Sequence, residues 1–271
     1  MNRVISTNNA SPDRVLVVDS GGNGDFPSIQ MAIAAATARS PSATNPWLVL
    51  IAPGVYAERL TLADHVHLAS LDGKGSVSLQ AHIAPLIEAA HCTIQGLRLE
   101  GTASPLIRAA SNFSGCLRLQ EIYIDSTLAE QDALRLDGGQ VALQDCHWTV
   151  GGRLLVNGGS LTVQRCHLIH QHSSALAPTQ ATIEVSGGSL FLAFSIVENK
   201  AHPASGGSAV RFSLQPPASV RILYCLLRAA SGYSVDSSVN LTAAIAACRM
   251  NADLNTSKIS GVLDYAFYPA L

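Results

Sequence analysis

Charged residues are scarce in this chain. Asp, Glu, Lys and Arg make up 13% of its 271 residues, whereas ordinary soluble domains carry about 25%. The formal net charge is −2, and the sequence contains no cluster of lysine and arginine. This charge balance argues against nucleic-acid binding. A chain with so few charges either buries much of itself or contacts partners over a wide area.

Long apolar runs are missing as well. No segment approaches the roughly 20 apolar residues that a membrane helix needs, so we predict no membrane span. The opening segment, MNRVISTNNASPDR, lacks the apolar core of a secretory signal peptide. The sequence therefore predicts a protein that is made in the cytoplasm. Its final location is left open, with a virion or a tail-like particle among the alternatives.

The cysteines show none of the spacings that are typical of zinc sites or disulfide frameworks. They are Cys92, Cys116, Cys146, Cys166, Cys225 and Cys248. Free thiols are the expected state, and oxidation of Cys146 with Cys166 is left open because stacked positions come within disulfide range. GxSxG, Walker and dinucleotide-binding motifs are also absent. We therefore expect neither a metal nor a cofactor.

What the chain does contain is a repeat. Seven similar segments alternate apolar and polar residues, for example CTIQGLRL and LTVQRCHL. They begin at Cys92, Leu117, Val141, Leu161, Leu190, Val220 and Ala243. Successive starts lie 20 to 30 residues apart, the extremes being Val141 to Leu161 and Leu190 to Val220. An irregular period of this size, interrupted by glycine-rich breaks, is typical of a β-solenoid.

Four columns of mostly apolar residues run through the repeat. The seven starting residues form the first column. The second, two positions later, is Ile94, Leu119, Leu143, Val163, Leu192, Ile222 and Ile245. The third, three positions later, is Leu97, Ile122, Cys146, Cys166, Ser195, Cys225 and Cys248. The fourth, two positions later again, is Leu99, Ile124, Trp148, Leu168, Val197, Leu227 and Met250. The extra residue between the second and third columns predicts two short strands that meet at a corner, with all four columns inside.

Residues at the corners lead to three further predictions. Glutamines occupy the corner in the first four segments, at positions 95, 120, 144 and 164, and we expect their amides to hydrogen-bond along the stack. The four cysteines of the third column are interpreted as small apolar residues that fill a tight space. The Gly-Gly pairs at 138–139, 158–159 and 187–188 predict a second corner with positive φ.

The segment DFPSIQMAIAAATARS predicts a helix that covers the first coil. Ile29, Ile33 and Ala36 fall on one face, Pro27 suits the first turn, and Asp25 is expected to serve the exposed N–H groups. A cap of this kind is needed because an open solenoid end aggregates.

The predicted organisation has four parts. Residues 1–14 form an N-terminal arm, and 15–62 form a cap of strand, helix and strand. Residues 63–253 form the β-helix, and 254–271 form a C-terminal tail. The tail contains Tyr265, Phe267 and Tyr268 and is expected to lack solenoid register, so that it covers the last coil or reaches onto a neighbour.

The N-terminal part resembles a known family. VDSGGNGDFPSIQMAIAAA followed by LVLIAPGVYAE is similar to the opening of pectin methylesterases, which belong to the pectin-lyase-like superfamily. The likeness continues through HCTIQGLRLEG, EQDALRL and VGGRLLVNGGSLTVQRC. It implies a single all-β domain, a right-handed parallel β-helix (β-solenoid), with an N-terminal α-helical cap.

The resemblance also implies where the family's catalytic residues would fall. That chemistry uses an aspartate nucleophile, a second aspartate as acid and base, oxyanion glutamines and an arginine. Gln131 and Asp132 match the family's Gln-Asp pair, whereas Arg153 stands at the nucleophile's position and Ala110 at that of the other glutamine. The family's Gly-Arg-Pro-Trp segment has no counterpart. Since an arginine is permanently cationic and cannot form the acyl-enzyme intermediate, no catalytic residues are expected. Asp132 is interpreted as a solvated or turn aspartate.

An outward column of the repeat is the candidate binding face. It contains Tyr123, His147, His167, Ile196 and Leu226, an amphipathic row suited to sugar or protein. Coverage by the loop NKAHPASGGSA is an equal alternative. A metal held by the stacked imidazoles, with His170 and His172 nearby, is disfavoured because no Asp or Glu joins them at suitable spacing.

These observations favour a non-catalytic, pectinesterase-like β-helix with a structural role or a carbohydrate-binding or partner-binding role. A phage tail component, a spike or a tail-like injection particle would fit such a pseudoenzyme. The alternative is a carbohydrate-active enzyme, an esterase or polysaccharide lyase with a diverged site. A polysaccharide or protein partner is expected, and a homo-oligomer, with a trimer among the arrangements, is left open.

Overall fold

Nearly all of the regular structure in this chain consists of short strands. The computed structural model describes residues 12–81, 85–126, 132–171, 180–201 and 207–267. Within them lie a 3₁₀ helix (Pro12–Arg14) and a helix α1 (Ile29–Thr37). The strands are β1 (Val15–Val18), β2 (Trp47–Ile51), β3 (Gly54–Tyr56), β4 (Leu60–Thr61), β5 (Val66–Ser70), β6 (Val77–Ala81), β7 (Ile87–Glu88), β8 (Cys92–Gln95), β9 (Leu97–Gly101), β10 (Ile107–Ala109), β11 (Cys116–Gln120), β12 (Tyr123–Ser126), β13 (Leu134–Leu136), β14 (Gln140–Gln144), β15 (His147–Val150), β16 (Leu154–Val156), β17 (Ser160–Gln164), β18 (His167–His170), β19 (Ile183–Val185), β20 (Ser189–Ala193), β21 (Ile196–Asn199), β22 (Val210–Phe212), β23 (Ser219–Leu223), β24 (Leu226–Arg228), β25 (Val235–Ser237), β26 (Leu241–Met250) and β27 (Ile259–Phe267).

The strands stack in parallel, coil upon coil. Each strand of the repeat pairs with the equivalent strand of the preceding and following coils, as β14 does with β11 and β17. One sheet of eight strands runs in the order β25-β22-β19-β16-β13-β10-β7-β4, and a larger sheet joins the strands on both sides of the corner. Parallel strands that follow one another around a central core make a parallel β-helix, as the repeat predicts.

The four predicted columns form the core. Leu119, Leu143 and Val163 are in register on β11, β14 and β17, and each is almost fully buried. The third and fourth columns are buried as well, from Leu97 and Leu99 to Cys248 and Met250. The predicted register is therefore confirmed.

A left-handed residue explains the phase slip at the corner. Two residues lie between the second and third columns of each segment. The second of them, directly before the third column, has a φ between 51° and 77° in all seven segments. These residues are Gly96, Glu121, Asp145, Arg165, Phe194, Tyr224 and Ala247. Such a φ is uncommon outside glycine. Inter-coil hydrogen bonds offset its cost, because the corner N–H donates to the next coil; Glu121 N, for example, lies 2.9 Å from Gln144 O.

The cysteines of the third column are buried at the corner, as their interpretation as small space-filling residues expects, and their thiols are also hydrogen-bond donors. Each thiol donates to the carbonyl two residues earlier, across the corner: Cys166 Sγ lies 3.2 Å from Gln164 O, and Cys225 Sγ lies 3.1 Å from Leu223 O. Ser195 does the same through its hydroxyl, at 2.8 Å from Ala193 O. These carbonyls already accept from a backbone N–H of the preceding coil, as Gln164 O does from Asp145 N at 3.1 Å, so the thiol or hydroxyl uses the second lone pair of the carbonyl oxygen.

The expected amide-to-amide bonds between corner glutamines are not the ones that form. Although the glutamines stack in register, Gln95 Nε2 donates to Glu121 Oε2 at 3.2 Å and Gln144 Nε2 donates to Asp145 Oδ2 at 3.3 Å. The amide N–H groups bond to the carboxylates of the left-handed corner residues instead of to the neighbouring glutamine oxygens, because a charged acceptor makes the stronger hydrogen bond.

The Gly-Gly pairs form the second corner as predicted. The later glycine of each pair has positive φ, for example 71° at Gly159 and 75° at Gly188. The earlier glycine is needed for close approach, because a Cβ at Gly158 would lie 2.6 Å from the carbonyl oxygen of Asp137 on the preceding coil.

Helix α1 covers the N-terminal end, with Ile29, Ile33 and Ala36 buried as predicted. Its cap differs from the prediction. Ser28 is the N-cap, and the carboxylate of Glu58 accepts from the N–H groups of Ile29 and Gln30, both at 2.8 Å. Asp25 instead accepts from Val17 N at 2.8 Å.

The C-terminal segment continues the coils, so the expectation that it lacks solenoid register is wrong. Strand β27 pairs in parallel with β26 from Leu241↔Ile259 to Met250↔Phe267. Residues 1–11 of the arm, and Tyr268 of the tail, lie outside the described residues, and the four predicted segment boundaries stay predictions. In the part of the chain that the structure describes, no helix has the length and apolarity to cross a membrane.

Candidate functional site

The outward face of the eight-stranded sheet carries the residues that the sequence resemblance matched to catalytic positions. Side chains of its strands stack in register as one outward column: Thr61, Glu88, Arg108, Arg135, Leu155, Glu184, Arg211 and Asp236. Asp132 and Arg153 lie beside this column, just before β13 and β16. The parallel stacking thus brings together Asp132, Arg153 and Glu184 from three successive coils.

The guanidinium of Arg153 lies between two carboxylates. Its Nη1 donates to Glu184 Oε2 at 2.5 Å, and its Nε lies 3.6 Å from Asp132 Oδ1. The other oxygen of Glu184 accepts from Ser213 Oγ at 3.0 Å. Side-chain exposure is 26% for Arg153, 21% for Asp132 and 15% for Glu184, so water is largely kept out of the network.

Burial raises the pKa of Asp132 above its ordinary value, and the positive charge of Arg153 opposes that shift. Of the two interpretations of Asp132, the solvated one is wrong, because the carboxylate is half-buried and ion-paired. The alternative, a turn aspartate, agrees with its position between β12 and β13.

The two carboxylates of this network are held by the guanidinium of Arg153. That Arg153 stands at the nucleophile's position stays a prediction from the resemblance; the structure shows that its guanidinium pairs with the carboxylates on either side of it. A nucleophilic carboxylate must be free to attack the substrate, whereas Glu184 is bonded through both oxygens. Ala110 contributes no polar side chain, and Gln131 lies outside the described residues.

The candidate binding face is a continuous row on the larger sheet. Tyr123, His147, His167, Ile196 and Leu226 are in register on five successive coils. The ring centroids of Tyr123 and His147 are 6.4 Å apart, and His147 and His167 meet edge to face at 5.0 Å. All five side chains are at least partly exposed. Of the loop weighed as its cover, residues 202–206 lie outside the described residues.

An acidic residue joins this row, contrary to the sequence-based expectation. Glu198, with a side chain only 5% exposed, places Oε2 3.6 Å from His167 Nε2 and 2.8 Å from Lys200 Nζ. Arg228 Nη1 donates to its other oxygen at 2.8 Å. Burial lowers the pKa of His167, and Glu198 opposes that shift. Two cations already neutralise Glu198, which is characteristic of a structural ion cluster.

The described residues hold no group of three or more potential metal ligands. His170 is buried, with Nδ1 2.6 Å from Gly152 O, and His172 lies outside the described residues. All six cysteines are free thiols in the structure. Burial raises the pKa of the Cys146 thiol, which lowers its reactivity.

A second exposed feature escaped the sequence reasoning. Phe194 and Tyr224, at the left-handed corner of successive coils, are 61% and 59% exposed and stack face to face with centroids 5.0 Å apart. Recognising them would have required knowing that corner residues point outward in register.

Comparison with known proteins identifies the architecture. No family model and no curated protein matches the chain. Solved structures do. A pectin methylesterase mutant in complex with a hexasaccharide aligns with 91% of this chain and 80% of its own, at 15% identity and a TM-score of 0.55. Pectin methylesterase from carrot aligns with 94% of this chain and 88% of its own, at 14% identity and a TM-score of 0.54.

This chain has the right-handed parallel β-helix fold of the pectin methylesterases. The predicted fold class is therefore confirmed. At such low identity the likeness concerns the path of the backbone, and activity has to be argued from the side chains on the coils.

Proposed function

We propose that this chain is a non-catalytic, pectinesterase-like β-helix that binds a polysaccharide or a protein partner. One observation carries the proposal: Arg153, which the resemblance matches to the nucleophile's position, forms ion pairs with Asp132 and Glu184. A permanently charged guanidinium cannot attack an ester.

The outward rows support a binding role. The row from Tyr123 to Leu226 offers aromatic rings, imidazoles and aliphatic side chains over five coils. On the eight-stranded sheet, Arg108 is exposed, and none of the described residues forms an ion pair with it. The neighbour solved with a hexasaccharide makes a polysaccharide the first ligand to test.

The test combines an activity assay with a binding assay. Purified protein is incubated with methyl-esterified pectin, and methanol release is measured beside the carrot enzyme as a positive control. We expect no release. Binding to pectin and to polygalacturonate is then measured by affinity electrophoresis. Tyr123→Ala should weaken binding if the row from Tyr123 to Leu226 is the binding face. Arg108→Ala should weaken binding if the outward face of the eight-stranded sheet is the binding face. Arg118 is exposed on a third face, so Arg118→Ala should have no effect on binding and is the control.

One observation favours the alternative, a carbohydrate-active enzyme with a diverged site. Asp132 has a raised pKa and lies close to a second acidic residue across Arg153, and raised carboxyl pKa values are common at catalytic acids. Release of methanol, reducing ends or unsaturated sugars that disappears in Asp132→Asn would establish the enzyme and overturn the non-catalytic proposal.

For location, we propose a component of a phage tail or tail-like particle. The support is the low charge of the chain and its repeated coils. Co-purification with such particles from the native host tests it, and recovery only as free protein would contradict it.

A further inference from the structure

The two ends of the β-helix differ. Helix α1 packs over the N-terminal coil and buries Ile29 and Ile33 against the core. At the C-terminal end, β27 pairs with β26 on one side, and none of the described residues pairs with its other side. Solenoids need both ends covered, because an open edge offers unpaired peptide groups to any other strand.

The free edge of β27 is long and uncharged at its centre. The strand reads ISGVLDYAF, without proline or lysine, and Val262 is 64% exposed. Its inward residues Leu263 and Tyr265 pack against the last layer of the core and remain partly exposed. The end therefore combines an unpaired backbone with an apolar layer, which is the kind of edge that pairs with another chain.

Backbone hydrogen bonds show which residues face the open side. Leu241 N donates to Lys258 O at 3.0 Å, and Leu241 is in register with Ile259. In a parallel ladder, alternate residues of a strand bond to opposite sides. Gly261 and Leu263 therefore direct their peptide groups toward the side that no described strand occupies.

The sequence of this edge is complementary to itself. In an antiparallel pair of two copies centred on Gly261, Lys258 lies opposite Asp264, and Ser260 lies opposite Val262. Lys258 and Asp264 are both exposed, and among the described residues neither has an ion-pair partner. They fall on the same face, since alternation from buried Ile259 turns both outward. The same register makes Gly261 a hydrogen-bonded pair with its own copy.

We propose that two copies of this chain associate tail to tail through antiparallel pairing of β27 about Gly261. The interface is isologous, so the Lys258–Asp264 pair occurs twice across the two-fold axis. Each copy covers the open end of the other and extends the larger sheet across the dimer.

Charge reversal tests the register. Sedimentation velocity of the full-length chain over a range of concentrations should show a dimer. Asp264→Lys places two lysines opposite each other at both ends of the pair and should raise the dissociation constant on the order of tenfold or more. Lys258→Asp should do the same, and the double reversal should restore the dimer. Asp72→Lys, an exposed reversal far from β27, is the matched control.

Disulfide cross-linking provides a second measurement, which detects the dimer even when its association is weak. Ser260 and Val262 of opposite copies form a non-hydrogen-bonded pair, with Cα atoms about 4.5 Å apart, which is within disulfide range. Mixed Ser260→Cys and Val262→Cys proteins should therefore form a disulfide-linked dimer in a thiol redox buffer, faster than either protein alone. A monomer at every concentration, a trimer, or a dimer insensitive to both single reversals would overturn the proposal. Failure of the double reversal to restore the dimer would overturn the register.

Discussion

The Gly-Gly corner allows the contact between coils to be measured separately from backbone strain. Gly159 and Gly73 both have positive φ, 71° and 89°. A Cβ at Gly159 would lie 2.3 Å from the carbonyl oxygen of Gly139 on the preceding coil, whereas a Cβ at Gly73 would meet nothing within 4 Å. Alanine at Gly73 therefore adds conformational strain alone, and alanine at Gly159 adds the same strain together with a collision between coils.

The expected magnitudes differ accordingly. The left-handed conformation costs an alanine about 1–2 kcal/mol, and this is the whole effect expected for Gly73→Ala. Overpacking adds about 1–3 kcal/mol, and the upper end applies at Gly159 because a backbone carbonyl cannot rotate away. Gly159→Ala should thus lower the free energy of unfolding by about 4–5 kcal/mol. In a protein of this size the melting temperature should fall by roughly 8–20 °C, compared with roughly 2–8 °C for Gly73→Ala.

Thermal unfolding followed by circular dichroism gives both values. Gly188→Ala is a replicate on the next coil, where the added Cβ would lie 2.3 Å from Gly159 O. If Gly159→Ala and Gly73→Ala lower the melting temperature equally, close stacking of the coils at this corner is not what requires the glycines, and the reasoning fails.

Three further predictions concern the core, pH and the ion network. Leu143→Asp should lower the free energy of unfolding by several kcal/mol because it buries an unpaired charge. Ala142 precedes Leu143 and faces outward, so Ala142→Asp should lower it far less. Equal denaturation midpoints for the two variants would contradict the register. Burial lowers the pKa of His67 below its ordinary 6.5, so the folded state binds a proton less readily than the unfolded state, and the melting temperature should fall as pH drops below about 6.5. His67→Gln should flatten that fall, and an unchanged profile would exclude His67 as its cause. Arg153→Met leaves two carboxylates without their cation and should lower stability at neutral pH by about 1–3 kcal/mol. The loss should shrink in acid as Asp132 protonates, and a pH-independent loss would contradict it.

The core of the fold could be predicted from the sequence because the signal for it is local and repeated. Apolar alternation shows which residues point inward, and the extra residue at each corner shows where the strand turns. The backbone state at that corner could not be predicted, since Phe194 and Arg165 rarely adopt a left-handed conformation on their own. Hydrogen bonds from the neighbouring coil stabilise it there, and those partners lie 20 to 30 residues away, as Arg165 N and Ala193 O show at 3.2 Å.

The contacts of the candidate site could not be predicted from the sequence. The resemblance to pectin methylesterases directed attention to Asp132 and Arg153. It gave no indication that Glu184, one coil later, would take its guanidinium, because ion pairs between coils depend on side-chain rotamers and on the turns that precede each strand. The same reason applies to Glu58, which accepts from N–H groups at the start of α1, and to Glu198, which lies beside His167. Each of these carboxylates contacts a group that is distant in the sequence.

The separation of inward and outward columns explains why this fold carries so little information about activity. The core requires apolar side chains only at inward positions, and each corner requires a left-handed residue. Outward positions on the eight-stranded sheet are free of both requirements, so the coils accept polar side chains there, such as the ion-paired Glu184 of this chain. Structural similarity at 15% identity therefore shows the fold alone. The outward columns, with Arg153 between two carboxylates and the open edge of β27 at the end of the stack, are where the function of this protein has to be tested.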